Sequence, residues 1–126
     1  MLYINNQTDD TPEIIFDPLT TTLSFKGNSY PENCELVYLP VIEFLNNFDV
    51  EKHKVINLNF HFNLINSTSV VYVAQMFSRL ASLSTKDLTI NVTWCFDEFD
   101  EELKELGERF SSISKLTFEY NSLASE

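Results

Sequence analysis

Asn66-Ser67-Thr68-Ser69 places three adjacent hydroxyl side chains after an amide, in the middle of the chain. Three kinds of chemistry suit such a run: capping a helix, supplying a nucleophile, or accepting a phosphate. The flanking residues narrow the choice. Before the run, Ile56, Leu58, Phe60, Phe62 and Leu64 alternate with Asn57, Asn59, His61 and Asn63, the period of a strand with one buried face. After it, Val70, Val73, Ala74, Phe77, Leu80 and Ala81 fall on one side of a helix. The run therefore marks a strand-to-helix junction, where the first-turn N–H groups have no intrahelical acceptor. A cap from Asn66 or Ser67 contributes about 1 kcal/mol. Asn66 and Ser69 are read as the polar residues that cap the junction on either side of a modifiable hydroxyl. One cap suffices for one helix, and this run holds more hydroxyls than capping needs.

A nucleophilic serine needs a base within hydrogen-bond reach, oriented by a third group. The G-x-S-x-G elbow is absent, and His53 and His61 are the only histidines. On a straight strand, His61 lies about 20 Å from Ser67. His53 falls in the loop at the opposite end of that strand. The sequence therefore argues against an enzyme, and no cofactor motif is present: with only Gly27 and Gly107, the chain has no glycine-rich phosphate loop. Phosphate acceptance suits the junction better. A phosphoserine brings nearly two negative charges to a helix start, which offers free N–H donors and the positive end of the dipole. Such a modification changes what the surface binds without requiring the domain to refold.

Asp97-Glu98-Phe99-Asp100-Glu101-Glu102 is the other dense cluster of functional groups. Clustered carboxylates can hold a hard cation, but the calcium-loop pattern and its glycine are missing. Acids ahead of a helix also complement its dipole. Asp97, Glu98 and Asp100 are candidates for partner contact, together with Tyr30 and Glu32 near a second helix start. Tyr30 is either a surface anchor or a staple packed on that helix, and packing is the expected role. Cys34 and Cys95 have no C-x-x-C spacing and no histidine cluster, so a zinc site is not expected.

The elements that must position these groups can be read along the chain. Ile14-Ile15-Phe16 and Leu23-Ser24-Phe25 are short strands joined by a polar turn, and Leu2 to Asn5 is a further candidate edge strand. Ser29-x-x-Glu32 has capping-box spacing, predicting a helix that runs to about Phe48. Its expected apolar stripe is Leu36, Val37, Pro40, Val41, Phe44 and Leu45, with a kink or break at Pro40. The strand from Ile56 and the helix from Val70 follow. Leu88, Ile90, Val92, Trp94 and Phe96 alternate as a strand, with Trp94 in the core. Phe99, Leu103, Leu106 and Phe110 form a helical stripe, and Leu116, Phe118 and Tyr120 a last strand. The order β-β-α-β-α-β-α-β predicts one small α/β domain over residues 1–126. A mixed sheet of about five strands packs against helices, with parallel pairing across the helical connections.

Composition fits that reading. Hydrophobic residues make up 44% of the 126, eleven of them Phe, enough for a core. The net charge of −11 opposes binding to nucleic acid and to anionic membranes. No apolar run approaches the roughly 20 residues of a membrane span. The N-terminal residues do not read as a secretory signal. Two cysteines are too few for a disulfide framework, and both are expected to be reduced, in the cytoplasm.

Several segments together resemble the SiaC-type regulatory phosphoproteins of bacteria. They are T-P-E-I-I-F-D at Thr11 to Asp17, G-N-S-Y-P-E-N at Gly27 to Asn33, N-S-T-S at Asn66 to Ser69, V-T-W-C-F-D-E-F-D-E-E at Val92 to Glu102, and L-G-E-R-F at Leu106 to Phe110. The resemblance spans Thr11 to about Tyr120. It implies a fold like the STAS domains of anti-sigma-factor antagonists. It also implies phosphorylation by a dedicated protein kinase, reversal by a PPM-type phosphatase, and binding of the unmodified form to a GGDEF diguanylate cyclase that makes cyclic di-GMP. Carried over by position, the acceptor is Ser67, with Thr68 as the competing hydroxyl. Asn28 stands where the family usually has Arg. The alternative is a plain interaction module of the same fold that is not phosphorylated.

Overall fold

The computed structural model describes residues 1–124. The elements are β1 (Leu2–Asn5), β2 (Glu13–Asp17), β3 (Thr22–Ser29), α1 (Cys34–Asn46), β4 (Val55–Ile65), α2 (Ser67–Ser84), β5 (Thr89–Asp97), α3 (Glu101–Ser114) and β6 (Phe118–Leu123). The six strands form one sheet in chain order, β1-β2-β3-β4-β5-β6. The pairs β1–β2 and β2–β3 are antiparallel. The pairs β3–β4, β4–β5 and β5–β6, each bridged by a helix, are parallel. The mixed α/β sheet against helices is as expected. Leu2–Asn5 joins the edge as an additional strand, so the order is β-β-β-α-β-α-β-α-β.

Alternation determines the face that each strand buries. Leu23 pairs with Leu58, which pairs with Val92, and Val92 with Phe118, making one apolar row across the sheet. Phe25, Phe60 and Trp94 form the next row. This face packs against the helices, while Ser24, Asn59, Thr93 and Glu119 line the opposite one. Aromatic rings knit the layers together. Phe60 and Trp94 lie 5.5 Å apart, Trp94 and Phe110 5.7 Å, and Phe77 and Phe118 5.1 Å. Gly107 lets α3 lie close over Trp94: a Cβ there would sit 2.5 Å from Trp94 Cδ1. The indole Nε1–H donates to the Leu103 carbonyl at 2.9 Å.

The start of α1 differs from the sequence expectation. Ser29 is the last residue of β3, not a helix cap, and α1 begins at Cys34. Asn33 occupies the N-cap position without a side-chain cap bond, so the Ser29-x-x-Glu32 spacing forms no capping box. The reason lies in β3. Leu23, Phe25, Gly27 and Ser29 share the buried face, so alternation carries Ser29 inward before a helix can start. The inward face of α1 is also rotated. Cys34, Val37, Tyr38, Val41 and Leu45 are buried, whereas Leu36 and Pro40 face outward. The helix continues across Pro40 rather than breaking there. Phe99, read as part of the α3 stripe, precedes that helix and is 77% exposed.

Candidate functional site

The corner where β4 passes into α2 holds the hydroxyl run. Asn66 is extended, with φ −87° and ψ 168°, and its Oδ1 accepts the Ser69 N–H at 2.8 Å. Its own N–H donates to the Ser29 carbonyl at 2.9 Å, and its carbonyl accepts from Val70 N–H at 3.0 Å. Asn66 therefore both caps α2 and ties the corner to the end of β3. Ser67 and Thr68 follow as the first two residues of α2, and both are exposed. The first turn of α2 contains no acidic residue. The free N–H groups at this helix start thus face solvent beside two accessible hydroxyls, with no fixed negative charge in the turn.

Ser69 behaves differently from its neighbours. It is fully buried and does not cap the helix; its N–H is the group that Asn66 caps. Its Oγ donates to the Ser29 carbonyl at 3.1 Å and accepts from Ser29 Oγ at 2.8 Å. Ser29 Oγ lies 2.6 Å from the Tyr38 hydroxyl. Since Ser29 has one hydroxyl proton, already given to Ser69, the Tyr38 phenol is the donor in that pair. The result is a directed chain from Tyr38 through Ser29 and Ser69 to the Ser29 carbonyl. Cys34 Sγ adds a contact at 3.4 Å to Ser69 Oγ. These groups join β3, α1 and α2 behind the exposed corner. Burial pushes the Tyr38 phenol well above its ordinary value, which keeps it protonated as a donor.

This buried chain was not anticipated from sequence, although a signal for it exists. Ser29 continues the inward alternation of Leu23 and Phe25, and Ser69 lies four and seven residues before the buried Val73 and Met76. Both positions have core periodicity, so both hydroxyls had to find partners within the core.

The other candidate residues lie apart from this chain. Tyr30 is 42% exposed, not packed as a helix staple, and Glu32 is exposed beside it at the entry to α1. Tyr30 N–H donates to the Asp10 carbonyl at 2.9 Å, which holds the preceding loop against this entry. Asn28 uses both ends of its amide: Nδ2 donates to the Asp9 carbonyl at 3.1 Å, and Oδ1 accepts from Leu64 N–H at 3.2 Å. Asp97 and Asp100 line an open cleft of about 920 Å³ at the carboxyl ends of β4, β5 and β6, with His61, Phe99, Glu101 and Glu102. Asp97 Oδ1 accepts Phe99 N–H at 2.9 Å, and Asp100 Oδ1 accepts Leu103 N–H at 3.0 Å as the cap of α3. Glu98 is exposed, with its N–H bonded to the Leu123 carbonyl. Among the described residues, no group of three or more His, Cys, Asp or Glu side chains could hold a metal ion. No described helix is long and apolar enough to cross a membrane.

Comparison with known proteins places this arrangement. The model of the SiaC family regulatory phosphoproteins matches residues 5–123. The chain belongs to the SiaC family. A relative in Pseudomonas aeruginosa (strain UCBPP-PA14), the uncharacterized protein PA14_02130, is 26% identical over 111 residues, covering 88% of each chain. Apo-SiaC from Pseudomonas aeruginosa superposes with a TM-score of 0.85 at 23% identity, over 96% of this chain and 98% of that one. SiaC of the same organism, in complex as activator with the diguanylate cyclase SiaD, superposes with a TM-score of 0.81 at 24% identity, over 94% and 96%. Within the SiaC family fold, the corner at Asn66 to Ser69 and the cleft at Asp97 to Glu102 occupy the same end of the sheet, where the parallel strands finish.

Proposed function

We propose that this chain is a non-catalytic switch, phosphorylated on Ser67 by a protein kinase and reset by a PPM-type phosphatase. Its unmodified form binds a signalling partner such as a GGDEF diguanylate cyclase. One observation carries the reading: Ser67 is an exposed hydroxyl at the first position of α2, behind an Asn66 cap, in a turn with no acidic residue. A phosphate there gains the unpaired N–H groups and the dipole, worth roughly 0.3–1 kcal/mol at an exposed site. It also changes the local charge by nearly two units. Family membership and the cyclase complex of a structural neighbour support the regulatory role and the class of partner. Thr68, exposed one position on, is the alternative acceptor.

Incubation with the cognate kinase and ATP, read by intact mass, adds a single phosphate. Ser67→Ala abolishes that increment, while Thr68→Ala retains it. Undiminished incorporation into Ser67→Ala would move the site to Thr68. Absence of any increment in the unaltered chain would refute the switch. A pull-down with the unmodified and phosphorylated forms then tests the output: the partner is retained by the former and lost from the latter.

A further inference from the structure

We propose that the outward face of α1 is a docking surface for an amphipathic helix with basic residues along its edges. The inference deepens the partner-binding part of the function proposed above, and it does not require Ser67 to be modified. A helix that buries Cys34, Val37, Tyr38, Val41 and Leu45 against its own fold should turn polar residues to solvent. This one turns out Leu36, 74% exposed, Leu39, 41% exposed, and Pro40. A single exposed leucine is ordinary, but three apolar side chains at i, i+3 and i+4 spacing make a contiguous patch. They line a shallow groove of about 180 Å³ together with Glu35 and Glu43. Helix-in-groove recognition seats the i, i+3 and i+4 anchors of an amphipathic helix in such an apolar groove.

Charge selects the occupant. Glu35 and Glu43 stand about 12 Å apart along the helix axis, at the two ends of the apolar patch. α1 contains no basic residue. The complement is an apolar ridge bracketed by Lys or Arg two turns apart. Pro40 adds a polar feature. It lacks the N–H that residue 40 would give the Leu36 carbonyl, so an acceptor within the patch is left without its intrahelical donor. A lysine or arginine on the partner can supply that hydrogen bond. A second copy of this chain is a poor occupant: a two-fold contact would set Glu35 and Glu43 against their own kind, in a protein of net charge −11.

Cys34 and Ser69, 3.4 Å apart, join the first turns of α1 and α2 on the side of α1 opposite its outward face. Binding on the outward face and modification at Ser67 are separable experimentally.

The test uses the full chain, unphosphorylated, and two synthetic helical peptides: one with a leucine ridge flanked by lysine, and one with the same ridge flanked by glutamate. In NMR titration the lysine peptide shifts the amides of residues 35–43, and the glutamate peptide does not bind. Leu36→Ser, an exposed substitution that leaves the core intact, weakens the lysine peptide about tenfold. Glu35→Lys with Glu43→Lys reverses the preference between the two peptides. The proposal is overturned if the shifts centre on the cleft at Asp97 to Glu102, if Leu36→Ser binds as tightly as the unaltered chain, or if the lysine peptide does not bind. Sedimentation equilibrium covers the remaining occupant. A dimer that Leu36→Ser dissociates assigns the face to a second copy and overturns the proposal. None of these readouts depends on a kinase, so a failure of phosphorylation and a failure of this face are recorded separately.

Discussion

At the carboxyl end of β4, Asn66 caps α2, and the turn that follows holds Ser67, Thr68 and no acid. At the carboxyl end of β5, Asp100 caps α3, and Glu101 and Glu102 occupy its first turn. Both caps accept the N–H three residues on, at 2.8 Å from Asn66 and 3.0 Å from Asp100. The two corners share a capping pattern and an end of the sheet, yet one carries permanent negative charge and the other carries neutral hydroxyls. The α3 corner therefore carries, as carboxylates, the kind of charge that the proposed phosphate would bring to the α2 corner. A helix start with its negative charge built in has no variable state. One that leaves the dipole uncompensated and offers a hydroxyl can exist in two.

The corners also differ in what lies behind them. Behind α3 is Trp94, packed against Gly107 of that helix, with one indole hydrogen bond. Behind α2 is the Tyr38–Ser29–Ser69 chain. Alkaline pH separates the two supports most strongly, because the indole does not titrate and the phenol does. Tyr38 is held protonated in the fold, with its pKa raised above the ordinary 10.0 by burial. The unfolded chain releases that proton once pH passes about 10, while the folded chain keeps it. This contribution to stability is complete below pH 10 and is lost as pH rises, by up to about 1.4 kcal/mol per unit. Urea unfolding from pH 10 to pH 12 should show a shallower decline for Tyr38→Phe than for the unaltered chain. Equal slopes would mean that the phenol is not held in the core.

Next in size is the loss of the hydroxyl that three groups share. Ser69→Ala removes the acceptor of Ser29 Oγ and one donor to the Ser29 carbonyl, and should cost about 2 kcal/mol in chemical denaturation. A cost near zero would reduce the chain to incidental contacts. The caps come third. Asn66→Ala and Asp100→Ala should each cost about 1 kcal/mol. Raising the salt concentration should shrink the Asp100 effect more, because only that cap is a carboxylate. The smallest effect tests the likeness itself. Ser67→Asp should give α2 the kind of charge that α3 already has, raising stability by about 0.5 kcal/mol at low salt and less at high salt. A loss of stability there would mean that the two helix starts are not electrostatically equivalent.

Periodicity made most of the fold legible. The alternation in β3, β4 and β5 identified the residues that form the apolar rows, except at Leu64, which is exposed near the end of β4, and the polar run at Asn66 to Ser69 marked the junction that the structure places there. The misreadings share a cause. Local spacing makes Ser29 a cap, but the inward alternation of β3 carries it into the core. Helical spacing puts Leu36, Pro40 and Phe99 on apolar stripes, but packing turns them outward. Residue type states a preference for burial, and the neighbouring elements decide which residues obtain it.

The sequence alone determined the strand and helix periods, the hydroxyl run at one helix start, the acids at another, and the net negative charge. These follow from residue type and spacing, which act over a few residues. Tertiary structure decided which hydroxyls are reachable. Ser67, Thr68 and Ser69 are chemically similar and consecutive, yet a helix turns about 100° per residue. With β3 and α1 packed on one side, that rotation leaves two of them in solvent and seals the third against Ser29.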